Sequence, residues 1–248
     1  MKIVVCINHV PDTSSQIKIS SDSKGIIEDG IAFTINPYDE YAIEEAIRCK
    51  EKFGGDVTII SIGIDRNKDA IRKAIALGAD EGILLKTSER FDSFGAAYLL
   101  ADEIKSLTAD IVFMGKQSVD YDNSSVGILT AELLQFECIP ECISLEINDK
   151  DILAVREIEG GKEKVSSKLP VIITCQKGLN EPRYASLKGI MNSKKKVIIE
   201  KVVSPPALRI TALKIVTPPN KSEGILLGEG VSAVAKLVDL LKNEIRVI

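Results

Sequence analysis

The sequence predicts an α/β fold: a doubly wound, mostly parallel sheet with an antiparallel extension and, beyond it, a C-terminal arm plus helix. Three observations carry that expectation. Short runs of Val and Ile alternate with segments of helical periodicity through the first two-thirds of the chain. Near Ile139 the pattern changes to short, partly alternating segments separated by the turn signals Asn148-Asp149 and Gly160-Gly161. Past Ser204, prolines at 205, 206, 218 and 219 exclude a regular helix until the last stretch.

The continuous apolar runs are Lys2–Ile7, Val57–Ile62, Gly82–Leu85 and Ile111–Met114. Runs without polar alternation read as strands buried on both faces, as in a parallel sheet. Between them, the stretch from Asp39 to Phe53 brings Ala42, Ile43, Ala46, Ile47 and Phe53 near one helix face. Residues 67–77 do the same with Ala70, Ile71, Ala74 and Ile75, and Gly78 can close that helix in the left-handed C′ conformation. The stretches 92–107 and 124–135 read as two more helices. Strands alternating with helices imply right-handed crossovers. The echo between LGADEGILL and LTADIVFMG marks successive helix-to-strand connections in one sheet, not a solenoid repeat. The antiparallel extension is expected over 142–147, 152–158 and 163–167, and residues 169–175 return to a buried run. The division expected is a nucleotide-binding domain over 1–203 and an arm and helix over 204–248. The final helix, 231–243, places Val231, Val234, Val238 and Leu241 on one face, as for packing on a partner chain.

Composition narrows the function. A chain of 248 residues, 45% hydrophobic, holds one large domain or one domain plus an appendage. Its net charge of −4 gives no general attraction to nucleic acid or an anionic membrane. No run of 18 apolar residues is present, so no membrane insertion is expected. MKIVVCINHV is too short an apolar run for a signal peptide. The cysteines, at 6, 49, 138, 142 and 175, are odd in number and lack CxxC spacing, which fits free thiols in a reducing bacterial cytoplasm. One histidine and no paired thiol motif give no basis for zinc.

The segment from Gly115 to Gly127, GKQSVDYDNSSVG, follows a predicted strand and opens a predicted helix. In an open α/β sheet, ligands bind at the carboxyl ends of strands. A helix N-terminus there offers free N–H groups to a phosphate. Gly115 lets backbone approach a ligand closely, Ser124 and Ser125 add hydroxyls, and Asp120 and Asp122 suit a cap or a ribose hydroxyl. An ordinary polar loop with an Asp or Asn cap uses the same residues. Neither GxGxxG nor GxxxxGK[ST] is present, so this is no dinucleotide fingerprint and no P-loop. Asn36-Pro37-Tyr38-Asp39 reads as a helix start with Asp39 as N-cap; at the carboxyl edge it would also wall a nucleotide pocket. His9 reads as a satisfied structural histidine, Lys194-Lys195-Lys196 as a solvated face, and Glu157 with Glu159 as a surface hairpin away from the ligand edge.

These segments resemble the beta subunit of electron transfer flavoproteins over nearly the whole chain. The matching motifs are CINHVPD, NPYDEYAIEEAIRCKEKFGG, ALGAD, GKQSVDYDNSSVG, REIEGGKEKV with LPVIITC, and LNEPRYASLKGIMNSKKK. The last is the most specific. The resemblance implies a Rossmann-like sheet of the adenine nucleotide alpha hydrolase type and an electron carrier without catalytic side chains of its own. It implies a heterodimer with a larger alpha subunit, whose C-terminal domain holds most of a shared redox FAD. In the common form the beta subunit buries a structural AMP; one branch holds a second FAD there and bifurcates electrons from NADH. Electrons pass from acyl-CoA and related flavin dehydrogenases of fatty acid beta-oxidation to an electron transfer flavoprotein-quinone oxidoreductase.

Carried over by motif, the nucleotide site comprises Cys6, Asn36, Pro37, Tyr38, Asp39 and Ile62. The loop Gly115, Lys116, Gln117, Ser118, Val119, Asp120, Tyr121, Asp122, Asn123, Ser124, Ser125 and Val126 then cradles the phosphate. The recognition loop, about 183–196, carries the leucine that anchors in an apolar pocket of acyl-CoA dehydrogenases, here Leu187 on a mobile loop. Glu157 matches a glutamate that holds the mobile flavin domain, and Lys194, Lys195 and Lys196 match a region where charge affects docking. Two departures stand out. DYDNSSVGI differs from the Asp-Asp-Asp or Asp-Gly-Asp loop with Gln before the helix, which leaves AMP and a second FAD both open. Lys188 stands where proline is common, which predicts a less rigid recognition loop. The fold alone also permits a universal-stress-type nucleotide-binding regulator; the proline-rich arm, the terminal helix and NEPRYASL argue against it.

Overall fold

In chain order, the computed structural model, which describes residues 1–219 and 224–248, begins with β1 (Lys2–Cys6) and β2 (His9–Pro11). β3 (Lys18–Ile19), β4 (Ile26–Ile27) and β5 (Phe33–Ile35) follow, then α1 (Pro37–Phe53), β6 (Asp56–Gly63), α2 (Asn67–Leu77) and β7 (Glu81–Lys86). Next come α3 (Ser93–Leu107), β8 (Ile111–Gly115) and α4 (Val126–Leu134), then β9 (Glu137–Asn148), β10 (Asp151–Ile158), β11 (Gly161–Lys168) and β12 (Val171–Cys175). α5 (Leu187–Lys195), β13 (Ile198–Val202), α6 (Val231–Asp239) and a π-helical segment, Leu240–Ile245, complete the chain.

Among the described residues, nine strands form one sheet in the order β11-β10-β9-β12-β8-β1-β6-β7-β13. From β9 to β13 neighbours run parallel, while β10 and β11 add the antiparallel extension. The apolar runs behave as their composition demands. Alternate residues of β1, Ile3 and Val5, join Val57, Ile59 and Phe113 beneath α1 and α2. Val4 and Cys6 join Ile60, Val112 and Ile172 beneath α3 and α4. Each such Ile or Val is worth about 1.5–3 kcal/mol on full burial.

The echo noted in the sequence has a structural meaning. Asp80 and Asp110 each follow a buried Ala at a helix-to-strand turn. The Asp80 carboxylate accepts from the Val57 N–H at 2.9 Å while its own N–H donates to the Val57 carbonyl at 2.9 Å. Asp110 repeats this on Lys2 at 2.7 and 2.9 Å. Each Asp thereby fastens a strand's start to its neighbour.

Some boundaries move. The helix expected from Ser124 begins at Val126, because Asp122 and Ser124 take left-handed backbone with φ of 50° and 48°. β9 starts five residues before the expected 142, interrupted at Pro140-Glu141 where Glu141 has φ 56° and the register against β12 shifts. That break hides the strand's period. The edge strand β13 and the short pairs β2–β5 and β3–β4 were not expected. The terminal helix turns π-helical after Asp239 instead of continuing as an α-helix to 243. The expected arm, 204–222, has no regular structure over 204–219, and its last residues, 220–222, lie outside the described residues.

Candidate functional site

The chain leaves β1 to one side through α1 and returns through α3 to β8 on the other side, so the sheet's switch point lies between β1 and β8. In an open α/β sheet, ligands bind in the crevice outside the carboxyl ends of the strands at such a point. Asp39 closes its floor: one carboxylate oxygen accepts the Asn8 N–H at 2.7 Å and the other the Gly115 N–H at 2.9 Å. The expected N-cap role is therefore wrong. Asn36 occupies the cap position, Pro37 stands in the first turn, and the Asp39 side chain turns inward to bridge the two strands. A Cβ at Gly115 would lie 2.3 Å from the Asp39 oxygen and 2.8 Å from the Tyr38 Cβ. Gly115 thus permits a close approach of β8 to Tyr38-Asp39.

The loop after β8 is held over this floor by two asparagines. Asn36 Nδ2 donates to the Gln117 carbonyl at 2.8 Å, and its Oδ1 accepts the Val119 N–H at 3.2 Å. Asn8 Nδ2 donates to Ser118 Oγ at 2.9 Å and to Asp120 at 3.0 Å. Within the loop, Gln117 donates to Asp122 at 2.7 Å and accepts from Ser124 Oγ at 3.0 Å; Asn123 donates to Ser93 Oγ at 3.1 Å. Tyr121 is exposed. Lys116 places its ammonium 5.6 Å from the Tyr38 ring centroid and 3.7 Å from Glu141. The N-terminus of α4 at Ser125 takes no side-chain cap, so its first amides remain available to an anion. Those amides, the Ser125 hydroxyl and the carboxylates of the loop are a donor and acceptor set that suits a nucleotide's phosphate and ribose.

Of the remaining carried-over residues, Cys6 and Ile62 are buried in the sheet. The Cys6 thiol is buried in the core, and burial with the nearby Asp39 carboxylate pushes its pKa up. Ile62 is also buried, with its carbonyl taken by Asn67 Nδ2 at 3.0 Å. Burial pushes the Asp39 carboxyl up to about 7, against its backbone hydrogen bonds and with a further push from Asp120. His9 lines a separate cavity of about 460 Å³ with Phe33, Arg66 and Asp69. Its ring tilts against Phe33 at 5.6 Å, burial lowers its pKa, and its buried Nδ1 lacks a well-formed hydrogen bond, so it is not the satisfied histidine expected.

Glu157 is nearer this edge than its hairpin setting suggests. β9 overshoots the edge by half its length, so the returning β10 crosses the edge level near its end, where Arg156 stands opposite Cys142 and Cys142 opposite Cys175. Glu157 accepts from Gln176, the residue after β12. Glu157 and Glu159 line a cleft of about 540 Å³ with Ile128, Pro140 and Glu141.

Leu187 is the first residue of helix α5, not part of a mobile loop. Ser186 Oγ caps the helix by accepting the Gly189 N–H at 3.0 Å. α5 lies so close to α2 that a Cβ at Gly189 would stand 2.2 Å from the Ala76 carbonyl oxygen. The Leu187 side chain nevertheless projects outward, 82% exposed, with Tyr184 and Met191 exposed beside it. Lys188 sits in the first turn, so it does not loosen a loop there. Lys194 and Lys195 are exposed in the last turn, while Lys196 is tethered by its ammonium to the Asp80 carbonyl.

The sequence reading passed over Asn8, Ser93 and Gln176. Asn8 stood inside a quoted motif, and a polar residue directly after a buried strand at the switch point was a usable signal. The contacts of Ser93 and Gln176 join segments far apart in the chain and left none.

A family model described as electron transfer flavoprotein domain matches residues 24–206. The chain is 37% identical to a protein of Bacillus subtilis (strain 168), across 100% of each chain. It is 36% identical to one of Dictyostelium discoideum, across 98% of each, and 32% identical to one of Homo sapiens, across 97% of this chain and 98% of that protein. All three carry the description electron transfer flavoprotein subunit beta.

Proposed function

Because the chain belongs to the electron transfer flavoprotein beta-subunit family, we propose that it pairs with an alpha subunit, shares a redox FAD with it, and buries a structural AMP of its own. The heterodimer takes electrons from flavin dehydrogenases of the acyl-CoA type and hands them to a quinone oxidoreductase in the cytoplasmic compartment. The single observation that carries the docking half is Leu187: a leucine 82% exposed at the head of a capped helix, inside LNEPRYASLKGIMNSKKK. A small apolar anchor suits an encounter that must be brief, since a small contact dissociates quickly.

The uncapped start of α4 supports the nucleotide half. Ser124, Ser125 and the first amides of α4 would hold the phosphate, Asn36 and Asp39 wall the crevice, and Asp120 and Asp122 offer acceptors to ribose hydroxyls. The flavin, when bound, supplies the one- and two-electron chemistry; this chain supplies position, exclusion of water and a docking face.

Two experiments test the reading. In the purified heterodimer, Leu187→Ala is expected to slow reduction by an acyl-CoA dehydrogenase by about tenfold, the scale of one lost apolar anchor, with FAD content unchanged. Normal kinetics would refute the anchor. Mass identification of the extracted nucleotides is expected to give one FAD and one AMP; two FAD with NADH oxidation would replace this relay by a bifurcating carrier.

A further inference from the structure

Between β12 and α5 the chain has no regular structure over residues 176–186, yet side chains pin it to α1. Arg183 Nε donates to Glu44 Oε2 at 2.8 Å, and Nη2 donates to Glu44 Oε1 at 3.1 Å. Nη1 and Nη2 also reach the Glu51 carboxylate at 2.6 and 3.0 Å. The Arg183 backbone N–H adds a bond to Glu44 at 3.2 Å. Asn180 Nδ2 donates to the Tyr41 carbonyl at 3.0 Å and to Glu45 at 2.9 Å.

Every acceptor lies on α1. Glu44 and Glu51 are seven residues, two turns, apart, so one guanidinium spans both from a single helix face. Glu44 is only 3% exposed. Burial alone would raise its pKa, but hydrogen bonds from Arg183 and Arg48 outweigh that and hold it below the ordinary carboxylate range. A buried carboxylate with charge-assisted partners on both sides is a firm seat.

We infer that Arg183, seated on Glu44 and Glu51, is a positioning residue that fixes where α5 begins and therefore where Leu187 points. Ser186, the α5 cap, follows Arg183 by three residues, which leaves little slack. α1 starts at the crevice, where Asp39 stands in its first turn, and carries Glu44 five residues further on. One rigid helix thus references the docking leucine to the floor of the nucleotide site, over a rise of about 7.5 Å between those two residues. Gly189 against Ala76 supplies the second fixed point. The inference rests on the reading of Leu187 as the docking anchor.

The test uses the purified heterodimer with Arg183→Met, Leu187→Ala and both together, and Arg183→Lys as a milder variant should Arg183→Met fold poorly. Three quantities are read: amide hydrogen exchange in α5, the KM and kcat for reduction by an acyl-CoA dehydrogenase, and FAD content. Arg183→Met is expected to speed α5 exchange and raise KM, each by about five- to tenfold, the scale of one lost charged contact. FAD content and kcat stay unchanged, and Arg183→Lys falls between. In the double variant KM is expected to be no worse than in Leu187→Ala alone, because Arg183 acts through that leucine. Unchanged α5 exchange in Arg183→Met overturns the positioning role. Multiplied losses in the double variant overturn action through Leu187. Normal kinetics in Leu187→Ala, with faster exchange in Arg183→Met, marks a failed docking reading instead.

Discussion

Ile, Leu and Val are used in opposite ways in the sheet and in the C-terminal arm. In β1, β6, β8 and β12, residues such as Ile3, Ile59, Phe113 and Ile173 are completely buried between two helical layers. In the arm, Leu213 and Leu226 are 89% and 99% exposed, and Val231, Val247 and Ile248 stand open as well. The arm is attached lightly. Asp92, which caps α3, also accepts the Arg209 and Ile210 N–H groups at 2.7 and 2.9 Å, and the Arg209 guanidinium lies 3.5 Å from the Phe94 ring centroid. The Ile215 N–H donates to the Ser23 carbonyl at 2.8 Å. Apolar surface of this extent marks a place another surface covers. The sheet uses its apolar residues for its own stability; the arm leaves them exposed.

Removing residues 204–248 breaks that contrast most severely. We expect the truncated chain to keep a cooperative thermal transition but to lose its alpha partner in gel filtration, with affinity down by about a thousandfold or more. A truncated chain that no longer melts cooperatively would place the arm in the core after all. The reciprocal change is Phe113→Ala at the centre of the sheet. It should cost about 3–5 kcal/mol in denaturant unfolding, because a large cavity opens where neighbours cannot collapse. A loss below about 1 kcal/mol would mean that the interior is looser than its burial indicates.

The same contrast explains what was legible in the sequence. β1, β6, β7, β8 and β12 announced themselves, since a strand buried on both faces has no polar interruption, and α2 was delimited to the residue by its periodicity and Gly78. β13 was missed because Lys196 and Val197 lead into an edge strand exposed at every residue but Ile198, which lacks that run. At the site, the residue set was legible and the roles were not. Asp39 has the look of an N-cap beside Pro37, and only the meeting of β1 with β8 turns it into a bridge between Asn8 and Gly115. Leu187 read as loop because the resemblance placed it on one, although Leu187, Ile190 and Met191 stand at helical spacing; Ser186 caps that helix and α5 packs on α2.

Asp39 offers the finest test, because it is buried like the sheet interior yet charged like the loops. The carboxylate accepts both the Asn8 and Gly115 N–H groups, whereas a protonated Asp39 can accept only one without turning its hydroxyl toward a donor. Burial is the larger influence and raises its pKa from 3.8 to about 7. The folded chain therefore holds this proton more tightly than the unfolded chain. The contribution to stability is fully present below the unfolded pKa and is lost as pH rises through about 7. Asp39→Asn removes that dependence and keeps the size. The difference in unfolding free energy, wild type minus variant, is expected to fall between about pH 4 and pH 7 by at most about 1.4 kcal/mol per unit and to flatten above. His9, whose pKa burial lowers, tilts the curve the other way, but it does so in both proteins and cancels in the difference. Parallel curves across that window would show that Asp39 is ionised throughout, with the two strand amides holding its charge against burial.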